Sequence, residues 1–364
     1  MGSQWEPVKR ALGLGSPEST PRRTRQARHH DANGSRSYRR AMARTRLYRR
    51  GQLAAQGFAV EDISKQLADP DAVVWVDFAA PSHADLQAVS DELGLHDVAV
   101  DDAVARLERT KLDRYGTHLV LTAYGVHRDA ATSELGTSEI AAFVAPRALI
   151  TIRKDDRFDM SAVLRRWDDE TDLASSGVGF LLWGLLDEVV DGYFKAVQSL
   201  DEDMEILEDL LFGDAPLSRQ VQRASFQLRK ALVLLRRVVL PMREVVNSLM
   251  RRDLRVVDAT MSPYYQDVYD HVLRASEWTE SLRDLITTIL ETNLTVQGNR
   301  LNLVMKKVTS WAAIIAVPTA ITGFYGQNIP FPGFAESAGF WTSTVLIAAM
   351  SVLLYWQFRR RDWL

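Results

Sequence analysis

Four consecutive residues near the C-terminus, Tyr325, Gly326, Gln327 and Asn328, suit the binding of a cation. Asn328 offers a carbonyl acceptor and an amide donor, and Gly326 permits an unusual backbone angle or a close approach. A ring of such groups could hold the water shell of a cation by hydrogen bonds, which suits Mg²⁺ because this ion dehydrates reluctantly. The structural alternative is a helix C-cap formed by a Gly/Asn turn, and spacing alone favours it.

Two hydrophobic spans are joined by the loop that these residues open. Span 308–325 has 18 residues and span 340–358 has 19, and neither contains a charged side chain. Each is about long enough to cross a hydrocarbon core of roughly 30 Å as a helix. The sequence therefore predicts a large water-soluble body anchored by a C-terminal helical hairpin.

Basic residues lie on one side of the predicted hairpin. They are Arg300, Lys306 and Lys307 before the first span and Arg359, Arg360 and Arg361 after the second. The loop 327–339 contains no Lys or Arg. By the positive-inside rule both termini are cytoplasmic and the short loop lies outside. We therefore predict a multi-pass protein of the plasma (inner) membrane.

The first span and the residues before it carry a stripe of mostly small, mildly polar side chains at helical spacing. The stripe consists of Asn302, Met305, Thr309, Ala312, Ala316, Thr319 and Gly323. Small residues on one face allow close helix packing in lipid without any pore. The other interpretation is that the stripe lines a water-filled path. Two spans cannot enclose a pore, so this path requires several copies around an axis.

Composition separates the N-terminus from the remainder of the chain. The first fifty residues hold thirteen Lys and Arg against three Asp and Glu, so 1–51 is predicted to be a disordered basic arm. It could attract anionic membrane lipid, or it is a solvated tail without a specific partner; nucleic-acid binding is a weaker interpretation, and no nucleic-acid partner is expected. The chain has no cysteine, which excludes disulfides and thiolate zinc sites.

The region 52–180 is predicted to form an α/β domain. Strands are expected at 73–78 and 117–127, and a hairpin of two strands at 140–144 and 149–152. Ser82 is a plausible N-cap for a helix that continues to about Leu93. The alternation of short strands and helices is the basis for this domain.

The region 181–300 is predicted to be a stalk of long helices. An acidic helix with six acids in 201–209 is followed by a turn at 213–216 and by a basic helix. The basic residues are Arg223, Arg229, Lys230, Arg236, Arg237 and Arg243. The pair is either a cation-attracting surface or a case of charge neutralisation on solvated faces. A further helix from about 262 is predicted to continue into the first span, a length of roughly 90 Å for about 60 residues.

The chain resembles the CorA family of divalent-cation transporters over about 52–364. The resemblance rests on 299–309, on 325–328, on the basic end 359–364, and on 265–290, which is similar to the family's stalk helix. It implies an α+β membrane protein with an N-terminal α/β cytosolic domain and a long helical stalk. Transmembrane helix 1 at 301–326, an outer loop at 327–339, transmembrane helix 2 at 340–358 and a cytosolic tail at 359–364 follow. The implied assembly is a funnel-shaped homopentamer whose first membrane helix lines the pore.

The resemblance also assigns roles to particular residues. The family's Gly-Met-Asn signature falls on Gly326, Gln327 and Asn328, at the outer mouth. Its pore-facing positions fall on Asn302, Met305, Val308, Ala312, Ala316 and Thr319. Its regulatory metal site between subunits falls on Asp102 and Glu291, two carboxylates that repel unless a cation lies between them.

The sequence departs from the family pattern at three places. Gln327 replaces the signature Met, Glu336 is the only acid of the outer loop, and Glu291 is longer than the usual Asp. The implied function is a channel-type transporter of Mg²⁺, with Co²⁺ and Ni²⁺ as further cargo, gated by cytosolic Mg²⁺ and without an organic cofactor. The alternatives are a zinc-transporting relative and a non-conducting Mg²⁺ sensor. An enzyme is not expected, because no phosphate-binding loop, His-Glu-x-x-His or nucleophile motif is present.

Overall fold

The computed structural model describes residues 43–105, 109–129, 132–212, 218–327, 330, 334 and 336–364. The chain divides into two compact units, one up to Ile286 and one from Thr287 to the C-terminus. The first contains a sheet and most of the helices. The second contains the C-terminal part of one long helix and a further helix. Each unit is described by itself below.

Among the described residues, the first unit is built on a sheet of seven strands. They are β1 Arg44–Arg49, β2 Gln52–Gln56, β3 Ala72–Ala79, β4 Lys111–Arg114, β5 Leu119–Arg128, β6 Leu135–Ala145 and β7 Ala148–Arg153. The strand order is β2-β1-β3-β7-β6-β5-β4. The β3–β7 pair is parallel, and the other neighbouring pairs are antiparallel.

The described residues also form helices. They are α1 Ile63–Gln66, α2 His83–Leu93, α3 Asp97–Val104, α4 Met160–Asp169, α5 Val178–Phe212, α6 Ser218–Leu249, α7 Ser262–Tyr325 and α8 Ser337–Arg360. Short 3₁₀ turns occur at Val60–Asp62, Thr171–Ser176 and Arg252–Leu254. The single helix predicted from about 262 into the first span is confirmed, with 64 residues in α7.

Local sequence signals explain where α2 begins and ends. The Ser82 hydroxyl accepts a hydrogen bond from the Asp85 amide, and the Asp85 carboxylate accepts one from the Ser82 amide, at 2.9 Å. This capping box satisfies two amides that a helix start leaves unpaired. Gly94 ends the helix with φ of 63°, in the left-handed region that glycine adopts without strain. The predicted N-cap at Ser82 and the predicted end at Leu93 are confirmed.

Both faces of the sheet are buried at its centre. Successive side chains of a strand point to opposite faces. On β3, Val74, Val76 and Phe78 pack into the cluster that includes α2 and α3. Trp75 packs edge-to-face against Trp167 of α4, with ring centres 5.1 Å apart. The strand predicted at 73–78 is confirmed, and the structure shows that it lies inside the sheet between β1 and β7.

An ion pair is buried between β3 and β7. Arg153 Nη2 lies 2.7 Å from Asp77 Oδ2, and their side chains are only 5% and 1% exposed. The Thr151 hydroxyl donates to Asp77 Oδ1 at 2.8 Å, and Trp75 Nε1 donates to the Thr151 oxygen at 3.1 Å. These bonds leave the buried charges paired, as a low-dielectric interior requires.

One predicted boundary is wrong. Residues 44–49 were predicted to belong to a disordered arm, but they form β1, which lies between β2 and β3. The side chains of Thr45 and Leu47 are buried, and Arg46 reaches Asp168 at 2.7 Å. The high arginine content suggested disorder, but a strand of a sheet can accommodate an arginine that has a carboxylate partner. The predicted arm over 1–42 lies outside the described residues.

The acidic and basic segments fall on α5 and α6, and the turn predicted between them at 213–216 lies outside the described residues. Charges in both segments have partners on other elements. Asp203 of α5 pairs with Arg128 of β5 at 2.8 Å, and the guanidinium of Arg236 on α6 contacts Glu280 on α7. The Tyr265 hydroxyl donates to the Gly179 carbonyl at 2.9 Å, which fixes the first turn of α7 against α5.

Candidate functional site

The two predicted spans lie on α7 and α8. Both helices are long and apolar enough to cross a membrane, by length and composition. The apolar part of α7 lies in the second unit, which also contains α8. The helical conformation expected for 308–325 and 340–358 is confirmed.

Each of these helices has one less exposed side. On α7 it consists of Ser310, Ala313, Ile314, Val317, Pro318, Ile321 and Tyr325. On α8 it consists of Gly339, Ser343, Ile347, Met350, Ser351, Leu354 and Phe358. Both sets recur at intervals of mostly three and four residues, which place side chains on one helical face. We infer that the two helices pack together through these sides.

Polar groups near the start of the first span and beyond the end of the second have partners. Ser310 is fully buried, and its hydroxyl donates to the Lys306 carbonyl at 2.7 Å. The Lys306 ammonium lies 6.0 Å from the centre of the Trp363 ring, beyond the end of α8. This contact requires that α7 and α8 are antiparallel, as the two-span hairpin predicts.

The predicted stripe lies on the side of α7 that α8 leaves open. Its members are exposed: Asn302, Met305, Val308, Thr309, Ala312, Ala316, Thr319 and Gly323. A helix turns by about 100° per residue, so the stripe centres roughly opposite the covered side. Met305 and Val308 are 65% and 63% exposed. Whether the stripe serves packing or a water-filled path, its partner has to come from outside this hairpin.

Thr319 shows how the stripe can contact a hydrated ion. Its hydroxyl donates to the Ile315 carbonyl at 2.8 Å, one turn earlier. Because the hydroxyl hydrogen is used within the helix, the oxygen of this exposed residue keeps both lone pairs as hydrogen-bond acceptors. That oxygen can accept a hydrogen bond from water around a cation. Pro318 precedes it without interrupting the helix.

The last turn of α7 positions Gly326 and Gln327. The Gly326 amide donates to the Thr322 carbonyl at 2.8 Å, and the Gln327 amide donates to the Phe324 carbonyl at 3.3 Å. A Cβ at position 326 would lie 3.0 Å from the Thr322 carbonyl oxygen, so the close approach expected of this glycine is present. The unusual backbone angle is not, because Gly326 is not among the residues with positive φ. Asn328 lies outside the described residues.

Asp102 lies on α3, which is fixed at both ends. The His96 ring nitrogen Nδ1 accepts a hydrogen bond from the Val98 amide at the N-terminus. The Lys154 ammonium donates to the carbonyls of Ala103 and Ala105 at the C-terminus. A positive charge at that end also complements the helix dipole.

The predicted regulatory carboxylates lie in different units, Asp102 in the first and Glu291 in the second. Glu291 has an exposed side chain on α7. Mg²⁺ often takes one or two carboxylates and keeps several waters, so the pair fits this ion in type and number. Among the described residues, no three His, Asp or Glu form a group that could hold a metal ion. The regulatory pair stays a prediction.

Lys111 is a functional candidate that the sequence reasoning missed. Its Nζ lies 3.6 Å from Asp102 Oδ2 and 2.9 Å from Asp113 Oδ2. Lys111 is on β4 and Asp102 is on α3, and neither helical nor strand periodicity connects two such positions. The contact therefore required the structure.

Comparison with known proteins agrees with this architecture. The family model described as "CorA-like Mg2+ transporter protein" matches residues 70–360. The cobalt/magnesium transport protein CorA of Thermotoga maritima is 26% identical over 315 residues, which cover 84% of this chain and 88% of that protein. The zinc transport protein ZntB of Yersinia enterocolitica is 23% identical over 278 residues, covering 74% and 81%.

A solved structure shows the same fold. It is the complete structure of the CorA magnesium transporter from Methanocaldococcus jannaschii, which has a TM-score of 0.68 and 24% identity. The match covers 80% of this chain and 92% of that one. Because the family model spans most of the chain, the assignment does not depend on any single relative. This protein belongs to the family of CorA-like Mg²⁺ transporter proteins.

Proposed function

We propose that this protein is a channel-type transporter that passes Mg²⁺, with Co²⁺ and Ni²⁺ as further cargo, across the plasma membrane as a homopentamer. The observation that carries the proposal is the uncharged, exposed stripe on α7, on the side turned away from α8. Five such stripes around an axis form a continuous wall, which a single hairpin cannot do. Both termini are cytoplasmic, and the short loop faces outward.

The chemistry of the stripe suits a hydrated ion rather than a bare one. No charged side chain lies within 308–325, so no fixed ligand replaces the water of Mg²⁺ there. Small residues such as Ala312 and Ala316 leave width, and the Thr319 oxygen accepts hydrogen bonds from water. The membrane potential supplies the driving force, at about 4.6 kcal/mol per 100 mV for two charges.

The signature residues form the outer mouth in this proposal. The amide group of Asn328 holds the water shell of the arriving ion, and Gly326 keeps the backbone close to the end of α7. Mg²⁺ uptake into vesicles tests this role with Asn328→Ala, which should lose most of the flux. Asn247→Ala, at an exposed position on α6, is the matched control and should keep it. Unchanged flux in Asn328→Ala would contradict the proposed mouth.

Cytosolic Mg²⁺ regulates the channel through Asp102 and Glu291 of neighbouring subunits. When the ion lies between the two carboxylates it removes their repulsion and holds the subunits in the closed arrangement. Flux measured against cytosolic Mg²⁺ should therefore stay high in Asp102→Ala/Glu291→Ala at concentrations that close the wild type. Identical closure in the variant would remove this site from the mechanism.

Zinc transport is the second candidate, favoured by Gln327 in place of the usual Met and by the likeness to a zinc transport protein. Zn²⁺ and Mg²⁺ flux compared with and without a pH gradient distinguishes the two. A non-conducting Mg²⁺ sensor is the third, favoured by the outer loop with Glu336 as its only acid. Planar-bilayer recording at low cytosolic Mg²⁺ tests it, since a sensor would pass no current.

A further inference from the structure

Lys111 holds a positive charge directly beside Asp102. Its Nζ lies 3.6 Å from Asp102 Oδ2 and 2.9 Å from Asp113 Oδ2. The lysine side chain is 21% exposed, and each acid is 39% exposed. The two carboxylates are therefore accessible to ions from solution, while the ammonium between them is more enclosed.

The backbone fixes both sides of this contact. Lys111 pairs with Thr122 in the antiparallel β4–β5 ladder. Asp102 lies on α3, whose C-terminal carbonyls at Ala103 and Ala105 accept hydrogen bonds from Lys154. The backbone at Lys111 is therefore fixed by the β4–β5 ladder, and the backbone near Asp102 is fixed by the contacts at the end of α3. This positioning keeps the ammonium near Asp102.

We infer that Lys111 is a built-in competitor of the cation at Asp102 and sets the Mg²⁺ concentration at which the regulatory site fills. The inference rests on the proposed function, because it takes Asp102 as a ligand of the regulatory ion. The ammonium neutralises part of the carboxylate charge that would attract Mg²⁺, and it repels the ion once bound. The site therefore stays empty until cytosolic Mg²⁺ is high enough to displace the lysine.

Asp113 offers the Lys111 ammonium a second carboxylate to contact. The Lys111–Asp113 contact is the shorter of the two, so the ammonium keeps a carboxylate partner when Asp102 turns to the metal. Asp113 thereby makes the displacement easier. Replacing Asp113 by Asn removes this alternative position, which favours the contact of Lys111 with Asp102 and makes the regulatory site harder to fill.

The test uses the purified full-length protein in nanodiscs. The midpoint of the Mg²⁺-dependent rise in melting temperature reports ion binding without transport, and flux against cytosolic Mg²⁺ is a second readout. Lys111→Gln should shift the midpoint to about threefold to tenfold lower Mg²⁺, since charges this close interact strongly but are screened near the surface. Asp113→Asn should shift it to higher Mg²⁺, and less so in the Lys111→Gln background.

Two control variants separate the possible results. Lys65→Gln removes a lysine from an exposed contact with Asp62 in the same unit and should leave the midpoint unchanged. Lys111→Arg keeps the charge and should stay near the wild type. If Lys111→Gln does not lower the midpoint while Asp102→Asn abolishes the transition, Lys111 is no competitor but the regulatory site stands. If Asp102→Asn also leaves the transition unchanged, both proposals are overturned.

Discussion

The Lys306 ammonium lies 6.0 Å from the centre of the Trp363 ring. Lys306 precedes the first span and Trp363 follows the second, so the contact joins the two ends of the hairpin. A cation–π contact at an exposed position stabilises by about 0.5–1 kcal/mol, which is too little to hold two helices together. Its significance is geometric, because it places both basic ends on the same side, as the charge distribution predicts.

Cysteine labelling tests this orientation. The chain has no cysteine, so a single introduced thiol is the only site of reaction. In intact cells a membrane-impermeant maleimide should label Glu336→Cys in the loop. It should label Leu364→Cys only after the membrane is permeabilised. Labelling of Leu364→Cys in intact cells would contradict the assigned topology.

The buried ion pair between Arg153 and Asp77 should contribute strongly to the stability of the first unit. Arg153→Met leaves the Asp77 charge buried without its partner, so we expect the free energy of unfolding to fall by about 3–5 kcal/mol. Denaturant unfolding followed by tryptophan fluorescence measures this loss. Arg50→Gln is the matched control, since the Arg50–Asp71 pair at 2.8 Å is largely exposed and should contribute about 0–1 kcal/mol. Equal losses in the two variants would contradict this assignment.

His118 should make the stability of the first unit sensitive to acid. Burial, and secondarily the charge of His96, lower the pKa of His118 below its ordinary value of 6.5. Below that value the unfolded chain binds a proton that the folded protein resists, so stability falls as pH falls from about 6.5 through the lowered pKa. His118→Phe keeps an aromatic ring beside Tyr115 and should lose less stability between pH 7.5 and 5.5. If the free energy of unfolding falls equally with pH in the wild type and in His118→Phe, this prediction is wrong.

The sequence predicted those elements that are specified by neighbouring residues in the chain. The capping box at Ser82 and the uncharged spans on α7 and α8 are of this kind, and the structure confirms them. β1 was missed because its arginines resemble those of a solvated arm, whereas Arg46 pairs with Asp168, 122 residues away. Partners at such separations are set by the sheet order, which a single sequence does not reveal.

Only the part of the candidate site that has a local sequence signal was predicted. Helical periodicity identified the stripe from Asn302 to Gly323, since that signal needs only one helix. It could not tell which side α8 covers, and the structure answers this through the buried Ser310. The contact of Lys111 with Asp102 joins a strand to a helix, so no periodic pattern in the sequence indicates it.

The most direct test of the central claim is thiol accessibility along α7 during transport. Ala316→Cys lies on the stripe, whereas Ala349→Cys lies on the exposed side of α8. Vesicles containing each variant are treated with a positively charged methanethiosulfonate reagent, and Mg²⁺ flux is measured before and after. We predict that the reagent blocks flux through Ala316→Cys, because a bound cation in the path obstructs and repels Mg²⁺, and leaves Ala349→Cys unaffected. Full flux through modified Ala316→Cys would contradict the claim that this stripe lines the ion pathway.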